Sequence, residues 1–185
     1  MESAIKGRIM DFLKMSNEEY TMVCTANKTS AFKILAESCP FHCNKRLLTV
    51  YDHESEAVQL MVESEKMRGA TVASAEFCWP SMKIHSEKLE KMVSKREKNR
   101  GLFVFPPESQ MTGARYPYQW MSLAQEHSWH VVLDACSLGL KDMDTLGPVL
   151  SRCEAQRLRR TRSARRGDRL TLMRSIFFSF CMDVL

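Results

Sequence analysis

Gly101-Leu102-Phe103-Val104-Phe105-Pro106-Pro107-Glu108-Ser109-Gln110-Met111-Thr112-Gly113 is the stretch that decides the fold. An apolar run without alternation reads as a strand covered on both faces, and the two prolines stop it. The polar side chains that follow end on a glycine, the make-up of a turn. A second such unit comes further on, Trp129-His130-Val131-Val132-Leu133-Asp134-Ala135. Between them, residues 117–127 have helical spacing. Two fully buried strands joined through a helix form a βαβ unit, and that implies parallel pairing.

Working outward, the same alternation recurs. Leu47–Tyr51 reads as a strand, and Ser55–Met67 as a helix with Val58, Met61 and Val62 inward and Gly69 closing it. Thr71–Phe77 reads as another strand, and Ile84–Ser94 as a charged helix. The Lys and Glu runs of residues 83–100 read as a solvated helix face. Towards the amino end, Ile5, Ile9, Phe12 and Leu13 stand at helical spacing within residues 3–14. Thr21–Thr25 reads as a buried strand, and Thr29–Glu37 as a helix capped by Thr29 or Ser30. The expected fold class is α/β, a mostly parallel sheet with flanking helices. Ligands of such sheets sit beyond the carboxyl ends of strands, so the loops after Thr25, Phe105 and Leu133 are the ones to search.

The chain has 185 residues, 44% of them hydrophobic and 26% charged, the balance of a globular protein with a real core. No apolar run approaches the ~20 residues that span a bilayer, and the acid-bearing start Met-Glu-Ser-Ala-Ile-Lys does not read as a signal peptide. Seven cysteines, an odd number at irregular spacing, argue for a reducing, cytoplasmic compartment. The net charge of +5 is not spread evenly. Residues 1–147 hold 18 Lys+Arg against 19 Asp+Glu, whereas residues 148–185 hold 9 arginines, no lysine and 3 acids. Any attraction to nucleic acid through charge belongs to that tail alone. With no interleaved aromatics, nucleic acid is not the expected partner.

Four constellations carry possible chemistry. Cys24-Thr25-Ala26-Asn27-Lys28-Thr29-Ser30-Ala31 leads through a loop of small residues into a helix start, where free N–H groups favour a phosphate. It reads equally as an ordinary capped turn. His53, in Tyr51-Asp52-His53-Glu54-Ser55, follows a strand and can stack on a ligand ring, move a proton, or sit idle beside a helix cap. The polar residues after Phe105 can bond a ligand or solvent. Asp134, directly after an apolar run, needs a cationic partner or a turn to cap. Cys39-Pro40-Phe41-His42-Cys43 offers three ligands where structural zinc takes four, and no second pair follows at suitable spacing.

These loops, in this order, resemble the class V aminotransferase fold of pyridoxal-phosphate enzymes. Within it they are similar to the cysteine-desulfurase-like domain of molybdenum cofactor sulfurases. The resemblance runs from Glu2 to about Gly147. It rests on Ala31-Phe32-Lys33-Ile34-Leu35-Ala36-Glu37-Ser38, Asp52-His53-Glu54-Ser55, Gly101–Pro106, Ser109–Gly113 and Trp129–Ala135. It implies a fold type I large domain binding pyridoxal 5'-phosphate. Asp134 would pair with the ring nitrogen and His53 would stack on the ring. Thr29, Asn27 and Lys28 would hold the phosphate, and Gln110 would lie near the ring's 3' oxygen. Ala26-Asn27-Lys28 departs from the family's loop of smaller residues. The family's anchoring lysine lies well past the aspartate, and no lysine follows Lys141 here.

The resemblance implies an activity of the complete enzyme: transfer of sulfur from cysteine to the molybdenum cofactor. It also implies a homodimer, or a heterodimer with a full-length homologue, because this fold type builds its sites at a dimer interface. The expected organisation is an incomplete cofactor-binding domain over residues 1–147 and an unrelated, irregular Arg-rich tail over 148–185. This chain would then be a catalytically silent truncation or an interaction fragment. Sequencing of transcripts tests this. Reads crossing the Gly147–Pro148 junction should be rare beside reads that continue the family sequence, and abundant, translated junction reads would overturn the expectation.

Overall fold

A computed structural model of the chain describes residues 2–13, 22–38, 46–95, 101–139, 142 and 177–179. Two compact units divide it: described residues up to Thr25, with 138, 139 and 142, fall in one, and the remainder in the other. The first unit holds α1 (Glu2–Phe12). Its buried side chains are Met10 and Leu13, while Ile5 and Phe12 are exposed. The apolar spacing of this helix therefore yields a narrower buried stripe than its sequence suggests. Residues 22–25 form no strand, contrary to expectation, and Val23 is exposed. A strand exists only as part of a hydrogen-bonded ladder, and residues 22–25 join none of the ladders among the described residues.

The second unit contains α2 (Lys28–Ser38), β1 (Arg46–Thr49), α3 (Glu56–Met67) and β2 (Thr71–Ser74). Then come β3 (Phe77–Cys78), β4 (Lys83–Ile84), α4 (Ser86–Ser94), β5 (Gly101–Phe105), α5 (Gln119–Glu126), β6 (His130–Asp134) and β7 (Phe177–Ser179). Five strands pair in parallel in the order β2-β1-β5-β6-β7. The chain leaves β1 through α3 to β2 on one side, whereas β5 and β6 lie on the other. The strand order therefore reverses between β1 and β5, where sheets of this kind have their ligand crevice.

Strand alternation sorts the core. Leu47, Leu102 and Val132 cluster with Phe32, Leu35 and Ala36 of α2 and Ala57, Val58 and Met61 of α3. Leu48, Phe103, Phe105, Val131 and Leu133, also buried, point to the opposite face. Every residue of β5 is buried, as a strand covered on both faces requires. Each fully buried Leu or Phe contributes roughly 1.5–3 kcal/mol, so helices on both faces, more than the short ladders, hold the sheet.

Two helix ends are tied together. At the end of α3, Ala70 N–H donates to Glu65 O and Gly69 N–H to Lys66 O, both at 2.9 Å, with Gly69 at φ 81. This is a Schellman cap. Arg68, at the same end, donates to Ala36 O at 2.6 Å and so satisfies a carbonyl in the last turn of α2. The other end of α2 is capped by Asn27, whose Oδ1 accepts from Ser30 N–H at 2.8 Å. The expected caps, Thr29 and Ser30, lie inside the helix instead.

The expected strand over 71–77 is broken. Ala75 N–H still bonds Thr49 O at 2.8 Å, but Phe77–Cys78 turns away to pair antiparallel with Lys83–Ile84. Ile84 is thereby taken from α4, which starts at Ser86. In the tail, Phe177–Ser179 joins the sheet beside β6. The rest of the arginine-rich segment, like Cys39–Cys43 and Lys141, lies outside the described residues.

The amino end of the sheet depends on Gly101. A Cβ there would stand 2.3 Å from Cζ3 of Trp129, whose indole Nε1–H donates to Val93 O at 3.0 Å and whose ring lies 5.4 Å from the Arg46 guanidinium. Gly101→Ala should destabilise the chain by about 1–3 kcal/mol in urea unfolding. Gly7→Ala, in α1 with nothing within 4 Å of the added Cβ, should not lower stability.

Candidate functional site

The site assembles at the carboxyl ends of β1, β5 and β6. Asp134 is the last residue of β6, and its side chain is 2% exposed. A carboxylate so placed needs donors, and the chain supplies three. Lys28 Nζ lies 2.7 Å from Oδ2, Tyr51 O–H donates to the same oxygen at 2.7 Å, and Cys136 N–H donates to Oδ1 at 3.3 Å. Lys28 reaches Asp134 from the first residue of α2, its Nζ 5.6 Å from the centre of the Phe32 ring and 6.0 Å from that of Tyr51. Burial, and secondly the adjacent Asp134 charge, push the Tyr51 hydroxyl well above the usual tyrosine range.

A second buried carboxylate, Asp52, follows β1. His53 Nδ1 lies 3.1 Å from its Oδ1, and Ser109 O–H donates to its Oδ2. Ser109 Oγ in turn accepts from Met111 N–H at 3.2 Å and Thr112 N–H at 2.9 Å. Gly113, at φ 66, closes that turn. The loops after β1 and β5 are thus joined through one carboxylate. Ser137 O–H donating to Glu108 O at 3.3 Å joins the loop after β6 to them.

Because Asp52 can only accept when ionised, it selects the His53 tautomer with the proton on Nδ1. In the neutral imidazole Nε2 is then an acceptor, and it is buried with no hydrogen-bond partner among the described residues. The imidazole meets the Tyr51 ring edge-on, centroids 5.8 Å apart. Tyr116, its ring 6.2 Å from that of Phe105, is also near enough to Asp52 to feel its charge. Burial first, then the Asp52 charge, push its pKa up to about 12.

Of the residues singled out from sequence, Lys28, His53 and Asp134 converge on this crevice. Asn27 caps α2, and Thr29 is half-buried in the first turn of that helix. Gln110 is exposed, and its neighbour Ser109 is the buried, bonded residue of the loop. Tyr51, Asp52 and Ser109 lie within the stretches named from sequence but carry no expected role of their own there, and Tyr116 lies in none of them. The only signal for the first three was adjacency, Tyr51 and Asp52 to His53 and Ser109 to Gln110. Among the described residues no cluster of three His, Cys, Asp or Glu side chains is placed to hold a metal, and no helix is long and apolar enough to cross a membrane.

Cofactor chemistry of the pyridoxal type asks the strand-end carboxylate for a bond to a protonated ring nitrogen. Oδ2 of Asp134 already receives a hydroxyl and an ammonium, so a second cation there would have to displace Lys28. With Lys28 paired to it, the Asp134 carboxylate does not accept that nitrogen; with Lys28 away, Asp134 is the residue that would hold it.

The raised tyrosines make an alkaline prediction. A hydroxyl whose pKa is higher folded than unfolded contributes stability that is complete below pH 10, the unfolded value, and lost as pH rises through the folded value. For Tyr116 that window runs from 10 to about 12. Tyrosinate absorbance should show two of the four tyrosines ionising late. Tyr51→Phe and Tyr116→Phe should each remove one late step, and coincident titration of all four near pH 10 would contradict the structure.

No protein-family model matches the chain. In sequence it is similar to the molybdenum cofactor sulfurases of Aspergillus fumigatus (23% identical over 140 residues) and Homo sapiens (25% over 158). Either alignment covers 72% of this chain but only 16% of the relative. In structure it is similar to the cysteine desulfurase of Thermococcus onnurineus (TM-score 0.56, 16% identity, 69% of this chain and 31% of that one). It is likewise similar to a serine palmitoyltransferase of S. paucimobilis solved with a pyridoxal-phosphate adduct (TM-score 0.55, 13% identity, 73% and 31%). The described sheet and its helices thus have the fold of part of a cysteine desulfurase and of part of a serine palmitoyltransferase, and in sequence the chain is similar to a short stretch of the molybdenum cofactor sulfurases.

Proposed function

We propose that this chain is a molybdenum-cofactor-sulfurase-like domain that keeps the ligand seat of a pyridoxal-phosphate enzyme without, on its own, performing sulfur transfer. The observation that carries the proposal is Asp134. It stands buried at the end of β6, with His53 presenting a bare ring nitrogen nearby, yet its carboxylate is paired to the chain's own Lys28. When bound in such a site, pyridoxal phosphate supplies an electron sink for breaking bonds at an amino acid's α-carbon. That chemistry needs a covalent lysine anchor, and no lysine follows Lys141 in these 185 residues. The relatives extend far beyond the matched region. Moving sulfur from cysteine to the molybdenum cofactor is therefore proposed for a longer protein of this kind.

The remaining groups have defined work in this reading. Asp52 and Ser109 hold the His53 imidazole in one tautomer, and Tyr51 fixes the orientation of the Asp134 carboxylate. The positive end of α2, with Asn27 capping it and Thr29 in its first turn, faces an anionic substituent if one is bound.

Incubating the purified chain with pyridoxal phosphate, reducing with borohydride and mapping the labelled peptides tests the proposal, with alanine release from cysteine followed in parallel. Label scattered over surface lysines, and no alanine, is the expected result. One stoichiometrically labelled lysine accompanied by alanine release would overturn it.

A further inference from the structure

Lys28 is in an unusual place. It is the first residue of α2, where the helix dipole favours anions and disfavours an ammonium. No acidic side chain occupies that first turn to offset it. The local structure of α2 therefore gives no reason for a lysine, and its bonding does: Nζ sits 2.7 Å from Oδ2 of Asp134, with the Phe32 and Tyr51 rings against it. Its side chain is only 18% exposed and that of Asp134 2%. A carboxylate this deep requires a positive partner, from a ligand or from the chain.

We infer that Lys28 is a built-in stand-in for the cationic ring nitrogen of a ligand. The chain neutralises Asp134 itself, and a phosphorylated pyridine ring is admitted only when the ammonium leaves. The inference rests on the reading of this crevice as a pyridoxal-phosphate-type seat, and adds that the seat is held shut by charge. Because only the open form binds, the measured affinity falls by the fraction of molecules in which Lys28 is away. No proton or bond changes hands; one ion pair is exchanged for another.

Two measurements test this. Pyridoxine 5'-phosphate is the probe, since it has the ring and phosphate but no aldehyde to react with lysines. By equilibrium dialysis, Lys28→Met should bind it at least about ten-fold more tightly than the wild-type chain, as expected when a competing closed state is removed. Lys28→Arg, which keeps the cation, should bind like wild type. Lys28→Met combined with Asp134→Asn should lose the gain. Equal binding by wild type and Lys28→Met, or a gain with Arg equal to that with Met, would overturn the inference.

The second measurement needs no variant to fold. In reductive methylation of the wild-type chain, resolved by residue, Lys28 should react far more slowly than the exposed Lys33 and Lys83. Reaction at their rate would overturn the inference by itself. Cysteine turnover and borohydride trapping report on the proposed function without this probe, so the two readings fail separately.

Discussion

A carboxylate buried at the end of a central strand has to be neutralised, and much of this molecule is arranged around that requirement. Asp134 cannot move, because β6 is held between β5 and β7 and its neighbours on the strand are core residues. The positive charge must come to it. In this chain it comes from α2, a helix that packs on one face of the sheet, and Tyr51 at the end of β1 adds the hydroxyl that aims the same oxygen. Removing one partner of such a buried pair costs roughly 3–5 kcal/mol, so the site and the stability of the domain are coupled.

The parallel topology explains why a second carboxylate is near. Where strand order reverses, the loops after β1 and β5 meet, and each contributes what the other lacks. Asp52 supplies charge, while Ser109 and the two backbone N–H groups it gathers supply donors. The result is one histidine whose ring is oriented by Asp52, its Nε2 buried without a hydrogen-bond partner among the described residues. Two adjacent buried acids thus have separate duties, Asp134 balancing a cation and Asp52 orienting a ring.

The continuous apolar runs Gly101–Phe105 and His130–Leu133 made the sheet legible, since nothing but double-sided burial explains them. The helix over 55–67 was legible through Val58, Met61 and the closing Gly69. Thr21–Thr25 misleads because its composition matches a strand, whereas residues 22–25 join no ladder among the described residues. The two-residue strands β3 and β4 are too short to show any period, so the hairpin that cut short the run after Thr71 was hidden. At the site, Asp134 and His53 were visible as polar residues abutting apolar strands. Asp52 and Ser109 were not, because they stand 57 positions apart and acquire a shared role only when two loops meet. The partner of Lys28 was invisible for the same reason: sequence suggested a phosphate, and the fold brings a carboxylate.

Arg68 gives this arrangement a second anchorage. Its guanidinium grips the carbonyl of Ala36 near the far end of α2, and an 11-residue helix is about 16 Å long. Between that bond and the Lys28 ion pair at its other end, Phe32, Leu35 and Ala36 seat α2 in the core. The helix is thus fixed at both ends and along its middle, and the ammonium meets the carboxylate on a support whose far end is fastened by a residue outside the site.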